Sequence, residues 1–291
     1  MTTSDILTSS NLLSDSALAP ETATLNRRKI LITGCSSGIG YYTAKQLRKD
    51  GHVVVAACRK SEDVERLMNE GLHSVRLDLD DSGSIVEGIQ DTLVITGGEL
   101  DVLINNGAYG QPGAIEDLSR AALEQQFSTN VFGTHELTTR LIKTLLASEY
   151  PRIIQISSVL GLVALRYRGA YVASKFALEG LTDTLRLELA DTRIKVSLIE
   201  PGPIVSQFRK NAQTAFLTHI DAERSRHIDR YKRAIKRFDS EEKQPFTLPE
   251  DAVYQKINQA IQAKKPKPRY YVTKPTYLLG FYNTHSKLTG L

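Results

Sequence analysis

The chain has 291 residues, of which 41% are hydrophobic and 24% are charged, and its formal net charge is +4. This composition is ordinary for a soluble folded protein with a sizeable core, and the small positive charge does not indicate nucleic acid. Two cysteines, Cys35 and Cys58, exclude a disulfide framework, and no run of about 18 apolar residues could span a membrane as a helix. We therefore expect a cytoplasmic protein.

The first 26 residues differ in composition from the rest of the chain. They are rich in Ser, Thr, Asp and Ala, and they have neither the basic start nor the apolar stretch of a secretory signal. We expect residues 1–26 to form a mobile extension. Residues 27–291 are expected to form one domain, because neither an internal repeat nor a clear linker divides them.

From Lys29 onward, short apolar runs alternate with longer helical patterns. The predicted strands are 29–33, 52–57, 74–77, 102–105, 152–157, 195–199 and 269–272. The predicted helices are 41–50, 118–148, 171–190 and 249–263. Strands separated by helices indicate parallel βαβ units with helices on both faces. The sequence therefore predicts an α/β fold with a doubly wound, parallel seven-stranded sheet.

A glycine-rich loop lies between the first strand and the first helix. The residues of this loop that we expect to bind a cofactor are Gly34, Ser36, Ser37, Gly38, Ile39 and Gly40. Glycines let a pyrophosphate approach the backbone N–H groups, and the helix N-terminus adds partial positive charge. The alternative is a plain strand-to-helix turn. The strand before the loop and the helix after it favour a dinucleotide site of the Rossmann type.

The second predicted strand is followed by Arg59 and Lys60, with no carboxylate beside them. An acidic residue at this place in a Rossmann fold holds the ribose of NAD, whereas a basic residue accommodates the 2′-phosphate of NADP. A guanidinium binds a phosphate through two N–H groups, and a carboxylate would repel it. We therefore predict NADP(H) as the cofactor, with Arg59 as its determinant, over the alternative of two solvated charges in a loop.

Polar residues in the middle of the chain predict a catalytic group. Ser157 and Ser158 end the fifth predicted strand, at the edge where ligands bind in such sheets. Tyr171 lies 13 residues after Ser158, and Lys175 follows four residues later on the same helix face. Because a nearby cation favours the phenolate, we expect Lys175 to lower the pKa of Tyr171 from about 10. Asn130 is a poor residue for a helix interior, so its place in the long predicted helix indicates a special role.

Together these motifs resemble those of the short-chain dehydrogenase/reductase family. The resemblance covers residues 29–206 and rests on Thr-Gly-x-x-x-Gly-x-Gly, Asn-Asn, Asn-x-x-Gly, Ser and Tyr-x-x-x-Lys in that order. The stretches 31–40, 58–60 and 197–203 are similar to a bacterial subgroup of NADP-dependent aldehyde reductases. The resemblance implies an NADP-dependent enzyme that acts on CH–OH donors.

The family pattern implies further cofactor contacts. Asp78 corresponds to an acid near the adenine, although it could instead cap the next helix. Asn105 and Gly107 stand in Asn-Asn-Gly-Ala, where the family usually has Asn-Asn-Ala-Gly. The exchange keeps both residues small but leaves the local backbone conformation open, because only glycine adopts positive φ freely. The remaining implied positions are Pro201, Gly202 and Ser206.

The resemblance also implies roles in a reduction. Tyr171 would donate a proton to the carbonyl oxygen, and Ser158 would hydrogen-bond the same oxygen. Lys175 would bind the nicotinamide ribose, and Asn130 would bind a water that extends a proton relay from the lysine. Tyr171 and Lys175 thus belong to both the catalytic and the cofactor-binding sets, and we predict no metal site.

The residues expected to contact the substrate follow the sixth predicted strand. Residues 207–245 are polar and helix-prone, and we expect them to form a substrate lid. The tail 264–291 could cap an apolar pocket, pair with another subunit or touch a membrane surface. The resemblance implies an apolar carbonyl substrate, a medium- or long-chain aldehyde, with a keto-lipid, a steroid or a non-catalytic NADP sensor as alternatives. We expect a homodimer or homotetramer and no nucleic-acid partner.

Overall fold

The computed structural model describes residues 27–238 and 245–280, so the predicted N-terminal extension lies outside the described residues. Its seven-stranded parallel sheet consists of β1 (Lys29–Thr33), β2 (Val53–Cys58), β3 (His73–Arg76), β4 (Val102–Asn105), β5 (Arg152–Ile156), β6 (Lys195–Glu200) and β7 (Arg269–Tyr271). The strand order is β3-β2-β1-β4-β5-β6-β7. This order reverses between β1 and β4, so a crevice opens there at the carboxyl ends of the strands. The predicted doubly wound α/β fold is confirmed.

Helices cover both faces of the sheet. Those with defined bounds are α1 (Gly38–Lys49), α2 (Ser61–Asn69), α3 (Ser82–Thr96), α4 (Arg120–Phe127), α5 (Thr134–Ala147), α6 (Gly169–Glu188), α7 (Phe208–His219), α8 (Ile228–Phe238) and α9 (Asp251–Gln262). One core cluster joins the sheet to α1 and α9, and a second joins it to α3 and α5. On α5 the stripe of Leu137, Leu141 and Leu145 is fully buried, as spacing of four residues on an amphipathic helix requires.

The long helix predicted at 118–148 is interrupted. It begins at Arg120, and the six residues Ser128–Gly133 form a π-helical turn between α4 and α5. Gly133 lies so close to Leu79 that an added Cβ would overlap the Leu79 carbonyl oxygen. The turn carries Asn130 away from the regular helical register, and π turns of this kind are frequent at functional sites.

The C-terminal part of the chain folds back on the sheet. The rings of Tyr271 and Tyr277 pack edge to face with centroids 5.6 Å apart, and Gly280 lies against Tyr271. The predicted lid contains α7 and α8, while residues 239–244 and 281–291 lie outside the described residues. None of the helices in the described ranges is long and apolar enough to cross a bilayer.

Candidate active site

The glycine loop has the backbone that a close phosphate approach requires. Gly34 and Gly38 have φ of 70° and 57°, in the left-handed region that favours glycine. A Cβ on Gly40 would overlap the Gly34 carbonyl oxygen and lie 2.6 Å from Nδ2 of Asn106. Because α1 begins at Gly38, the loop delivers a helix N-terminus to the carboxyl edge of the sheet.

Asn106 holds this loop in place. Its Nδ2 donates to the carbonyl oxygens of Thr33 (2.9 Å) and Gly34 (3.2 Å), and its backbone N–H donates to Oγ1 of Thr33 (3.0 Å). The sequence prediction chose Asn105, whose side chain is instead buried and donates to Oγ1 of Thr138 on α5 (2.8 Å). Successive side chains at a strand end point to opposite faces, so only one residue of an Asn-Asn pair can face the loop.

The exchange of glycine and alanine after Asn106 is accommodated without strain. Neither Gly107 nor Ala108 has a positive φ, so the position does not depend on the conformational freedom of glycine. The fit is nevertheless close, since a Cβ on Gly107 would lie 3.0 Å from Cδ1 of Leu79. At Gly107 the small size of the residue is therefore the property that the packing requires.

A cleft of about 320 Å³ opens in front of the glycine loop. Its lining residues are Ser36, Ser37, Gly38, Tyr41, Arg66, Val205, Ser206, Gln207 and Glu250. A Cβ on Gly38 would lie 3.1 Å from Cβ of Ser206, so the segment after β6 faces the loop. Pro201 is buried. Gly202 contacts Thr273, whose hydroxyl an added Cβ would overlap.

Arg66 of α2 is a cleft residue that the sequence did not reveal. Its Nη2 donates to the Ser36 carbonyl oxygen (2.7 Å), and its guanidinium pairs with Asp63 (3.0 Å) and Glu70 (3.1 Å). These contacts tie the second βαβ unit to the glycine loop. No residue motif marks such a contact, because it depends on where α2 packs.

Arg59 and Asp78 flank the part of the crevice nearer β2 and β3. The Arg59 side chain is exposed, and it forms no ion pair with any carboxylate of the described ranges. Asp78 accepts a hydrogen bond from the Asp80 N–H (3.1 Å). The helix-capping alternative for Asp78 is wrong, because Asp81 caps α3 by accepting from the N–H groups of Gly83 and Ser84.

Tyr171, Ser158 and Lys175 converge at the carboxyl edge of β5. Ser158 follows this strand, its hydroxyl accepts from the Leu160 N–H (3.1 Å), and it lies beside the Tyr171 phenol. Lys175 Nζ lies 5.7 Å from the Tyr171 ring centroid and donates to the Ile156 carbonyl oxygen (2.8 Å). The fold therefore brings together the three residues that the sequence predicted.

The expected lowering of the Tyr171 pKa is wrong for this geometry. Burial raises the pKa of Tyr171 to about 12, and the hydrogen bond from Ser158 opposes only part of this rise. Burial lowers the pKa of Lys175 to about 8. The phenol is covered by Phe208, whose ring packs edge to face on Tyr171 with centroids 5.3 Å apart. At neutral pH the phenol therefore keeps its proton.

Both polar atoms of the Asn130 side chain form hydrogen bonds. Its Nδ2 donates to the Tyr109 carbonyl oxygen (2.9 Å) and to Oγ of Ser174 (3.0 Å), and its Oδ1 accepts from the Tyr109 N–H (3.1 Å). Ser174 in turn donates to the Tyr171 carbonyl oxygen (2.8 Å). Asn130 thus ties the loop after β4 to the helix that carries Tyr171 and Lys175, and the predicted water relay stays a prediction.

Helices α7 and α8 close over the loops that follow β4 and β5. Phe216, Ile220 and Tyr231 pack against Ala114. Tyr231 accepts from the Ala114 N–H (2.8 Å), Ser225 donates to Asp117 (2.6 Å), and His227 contacts Glu116 (2.7 Å). The packing is apolar and its rim is polar, so these helices form a cover next to Tyr171.

The two cysteines are packing residues. Cys35 and Cys58 are free and buried, and the Cys35 thiol donates to the Ile32 carbonyl oxygen (3.2 Å). Burial raises the pKa of Cys58 to about 12. Neither thiol has the low pKa and exposure of a reactive group.

The crevice, the glycine loop and the Ser-Tyr-Lys group define a nucleotide-binding oxidoreductase on a Rossmann-type fold. Residues 28–216 match the family of short chain dehydrogenases, and the chain belongs to this family. It is 40% identical over 256 residues to the uncharacterized oxidoreductase YbbO of Escherichia coli (strain K12), covering 88% of this chain and 89% of that protein.

Two further similarities agree with this assignment. The chain is 34% identical over 217 residues to a 3-ketodihydrosphingosine reductase of Bacteroides thetaiotaomicron, covering 74% of this chain and 77% of that protein. A crystal structure of a short-chain dehydrogenase from Streptomyces avermitilis has the same fold, with a TM-score of 0.73, 23% identity, and coverage of 92% of this chain and 96% of that one.

Proposed function

We propose that the protein is an NADPH-dependent reductase that converts an apolar carbonyl compound, a medium- or long-chain aldehyde, to an alcohol. The observation that carries this proposal is the meeting of a buried, protonated Tyr171 with Ser158 and Lys175 at the carboxyl edge of β5. The glycine loop, between β1 and α1, lies at the same carboxyl edge of the sheet. A proton donor beside a dinucleotide loop is the arrangement that reduction of a carbonyl requires.

The residues present fit NADPH. Gly40 leaves no room for a side chain next to the loop backbone, and Ser206 closes the opposite wall of the cleft. Lys175 uses one of its three N–H groups on Ile156, so two remain for ribose hydroxyls. Arg59 is exposed, so its guanidinium is available to bind the 2′-phosphate of NADPH. When bound, the cofactor would supply a hydride.

Residues of the protein would supply the proton and stabilise the negative charge that develops on the carbonyl oxygen. Tyr171 holds the proton that its hydroxyl would donate to the carbonyl oxygen. The Ser158 hydroxyl, which lies beside that phenol, would stabilise the developing negative charge on the same oxygen. Phe208 covers the phenol and limits access of water.

The apolar substrate is supported by what surrounds the phenol. Phe208 touches Tyr171 directly, and a Cβ on Gly110 would lie 2.6 Å from the Phe208 ring and 3.4 Å from the Tyr171 ring. The cover behind it is built on Phe216, Ile220 and Tyr231. A keto-lipid is the second candidate, favoured by the similarity to a protein named for reduction of a keto-sphingoid compound.

A panel of carbonyl compounds tests the substrate class. We expect kcat/KM for NADPH-dependent reduction to rise with chain length across straight-chain aldehydes and to exceed the value for short or charged carbonyls. Each added CH₂ that is buried should contribute about 0.8 kcal/mol. A preference for short, charged carbonyls, or no oxidation of bound NADPH with any carbonyl, would contradict the proposal, and the second outcome would favour the sensor.

Arg59 is expected to decide the cofactor. Arg59→Ala should raise KM for NADPH about tenfold or more while changing KM for NADH little, because only NADPH has the phosphate that the guanidinium would bind. Lys49→Ala on α1 is a matched control, since Lys49 is also exposed. Equal changes in KM for both cofactors would count against Arg59 as the determinant.

The pH dependence follows from the two buried groups. The phenol stays protonated through neutral pH because its pKa is raised to about 12, whereas Lys175 loses its charge near its pKa of about 8. We expect kcat/KM for reduction to be constant below about pH 8, the pKa of Lys175, and to fall above it. Steady-state rates across neutral and alkaline pH measure this, and a fall that begins well into the acidic range would contradict it.

A further inference from the structure

A partly buried group of charged side chains extends from Lys175 along α6 and has no part in the proposed proton transfer. Its centre is Arg269 of β7. The guanidinium Nη2 contacts Oε2 of Glu179 at 3.0 Å and Oδ2 of Asp183 at 2.6 Å, and Nε lies 3.1 Å from Oε1 of Glu200. The Glu200 side chain is 0% exposed and that of Glu179 is 9% exposed. Such buried charges are costly unless they balance.

Two of the carboxyl groups around Arg269 are buried, Glu179 and Glu200, whereas the third, Asp183, is shared with Arg186 at 2.5 Å. If both buried carboxyl groups are ionised, one guanidinium leaves one negative charge in excess. Burial raises the pKa of Glu179 and that of Glu200, so both carboxylates depend on nearby cations to stay ionised. Arg269 balances one of the two charges, which leaves one for a further buried cation.

That further cation is Lys175. Glu179 follows it by four residues on α6, so the two side chains share one helix face, and both are buried. Burial lowers the pKa of Lys175, and the charge of Glu179 is what opposes this effect. The lysine also lies near Tyr171 on the same helix and donates to the Ile156 carbonyl of β5, and neither of these groups is an anion at neutral pH.

We propose that Glu179 is a positioning residue for the active site: its carboxylate, held by Arg269, is the counter-charge that keeps the buried Lys175 ammonium protonated. The inference rests on the proposed function, because a charged Lys175 matters there for ribose binding. Asp183 contacts the same guanidinium but is 42% exposed and also pairs with Arg186 at 2.5 Å. Asp183 therefore helps to hold Arg269 in place and is not the counter-charge of Lys175.

Lysine titration by NMR tests this without any turnover. In full-length protein labelled with ¹³C-lysine, the Lys175 ε-carbon signal is assigned by its loss in Lys175→Arg. We expect Glu179→Gln to lower the midpoint of the Lys175 titration by about one pH unit or more, since an opposite charge nearby shifts a pKa by roughly 1–3 units. Asp183→Asn, which also removes a carboxylate from Arg269, should leave the midpoint unchanged.

The pH dependence of kcat/KM should distinguish the same two variants. The alkaline fall in kcat/KM should move to lower pH in Glu179→Gln and stay in place in Asp183→Asn. If Glu179→Gln does not fold by circular dichroism, Glu179→Asp replaces it, and withdrawal of the carboxylate by one CH₂ should still lower the midpoint.

An unchanged Lys175 midpoint in the folded Glu179 variant, or an equal shift in Asp183→Asn, would overturn the inference. Failure of the proposed function looks different: the wild-type protein would reduce no carbonyl while the Lys175 midpoint still moved with Glu179.

Discussion

Tyr171→Phe is expected to lower kcat for carbonyl reduction by about 10²–10⁴-fold, the range that positioned general acids supply. The variant keeps the ring that packs on Phe208 and loses only the hydroxyl that holds the proton. The affinity for NADPH, measured by fluorescence titration, should change little. Steady-state kinetics with a long-chain aldehyde gives the rate.

A matched control separates loss of the proton donor from a general effect of removing a phenol. Tyr150 lies just before β5, at the opposite edge of the sheet, where its hydroxyl donates to the Ala263 carbonyl oxygen (3.2 Å). Tyr150→Phe should retain wild-type kcat. Near-normal kcat in Tyr171→Phe would remove Tyr171 from its proposed role.

Gly40→Ala is expected to abolish measurable NADPH binding and to destabilise the fold by about 1–3 kcal/mol or more. The new methyl group would overlap the Gly34 carbonyl oxygen and lie 2.6 Å from Nδ2 of Asn106. Both neighbours belong to the backbone turn or to its anchor, so neither can move without opening the loop. Fluorescence titration and thermal unfolding measure the two effects.

Gly180→Ala provides the contrast. Gly180 lies on the exposed side of α6, and nothing lies within 4 Å of the position that its Cβ would take. This substitution should raise stability by about 0.5–1 kcal/mol, because alanine is the better helix residue, and it should leave NADPH affinity unchanged. If Gly40→Ala binds NADPH as well as Gly180→Ala does, the glycine loop is not the cofactor site.

The fold was predictable because its signals are local. Alternation of apolar runs with helical patterns predicted the sheet, and the spacing of Ser158, Tyr171 and Lys175 predicted their meeting at one edge. Helical periodicity, however, could not reveal the π turn at Ser128–Gly133, which packs through Gly133 against Leu79, more than fifty residues earlier in the chain.

The electrostatics of the site were not predictable from spacing. A lysine four residues from a tyrosine predicted a lowered tyrosine pKa, but the cover provided by Phe208 makes burial the larger effect. The cluster around Arg269 is equally hidden, since its ion pair with Glu179 joins residues 90 positions apart. Asn106 was missed for a geometric reason, the direction of its side chain at the end of β4.

This site is proposed to transfer hydride to a carbonyl, with Tyr171 supplying the proton. The most direct test of this proposal uses NADPH carrying two deuterium atoms at the reactive nicotinamide carbon, a long-chain aldehyde, and mass spectrometry of the product. We expect the wild-type protein to form an alcohol with deuterium on the former carbonyl carbon, and Tyr171→Phe to bind the cofactor but form almost none. An alcohol without deuterium, or cofactor binding without any alcohol from the wild-type protein, would contradict this account.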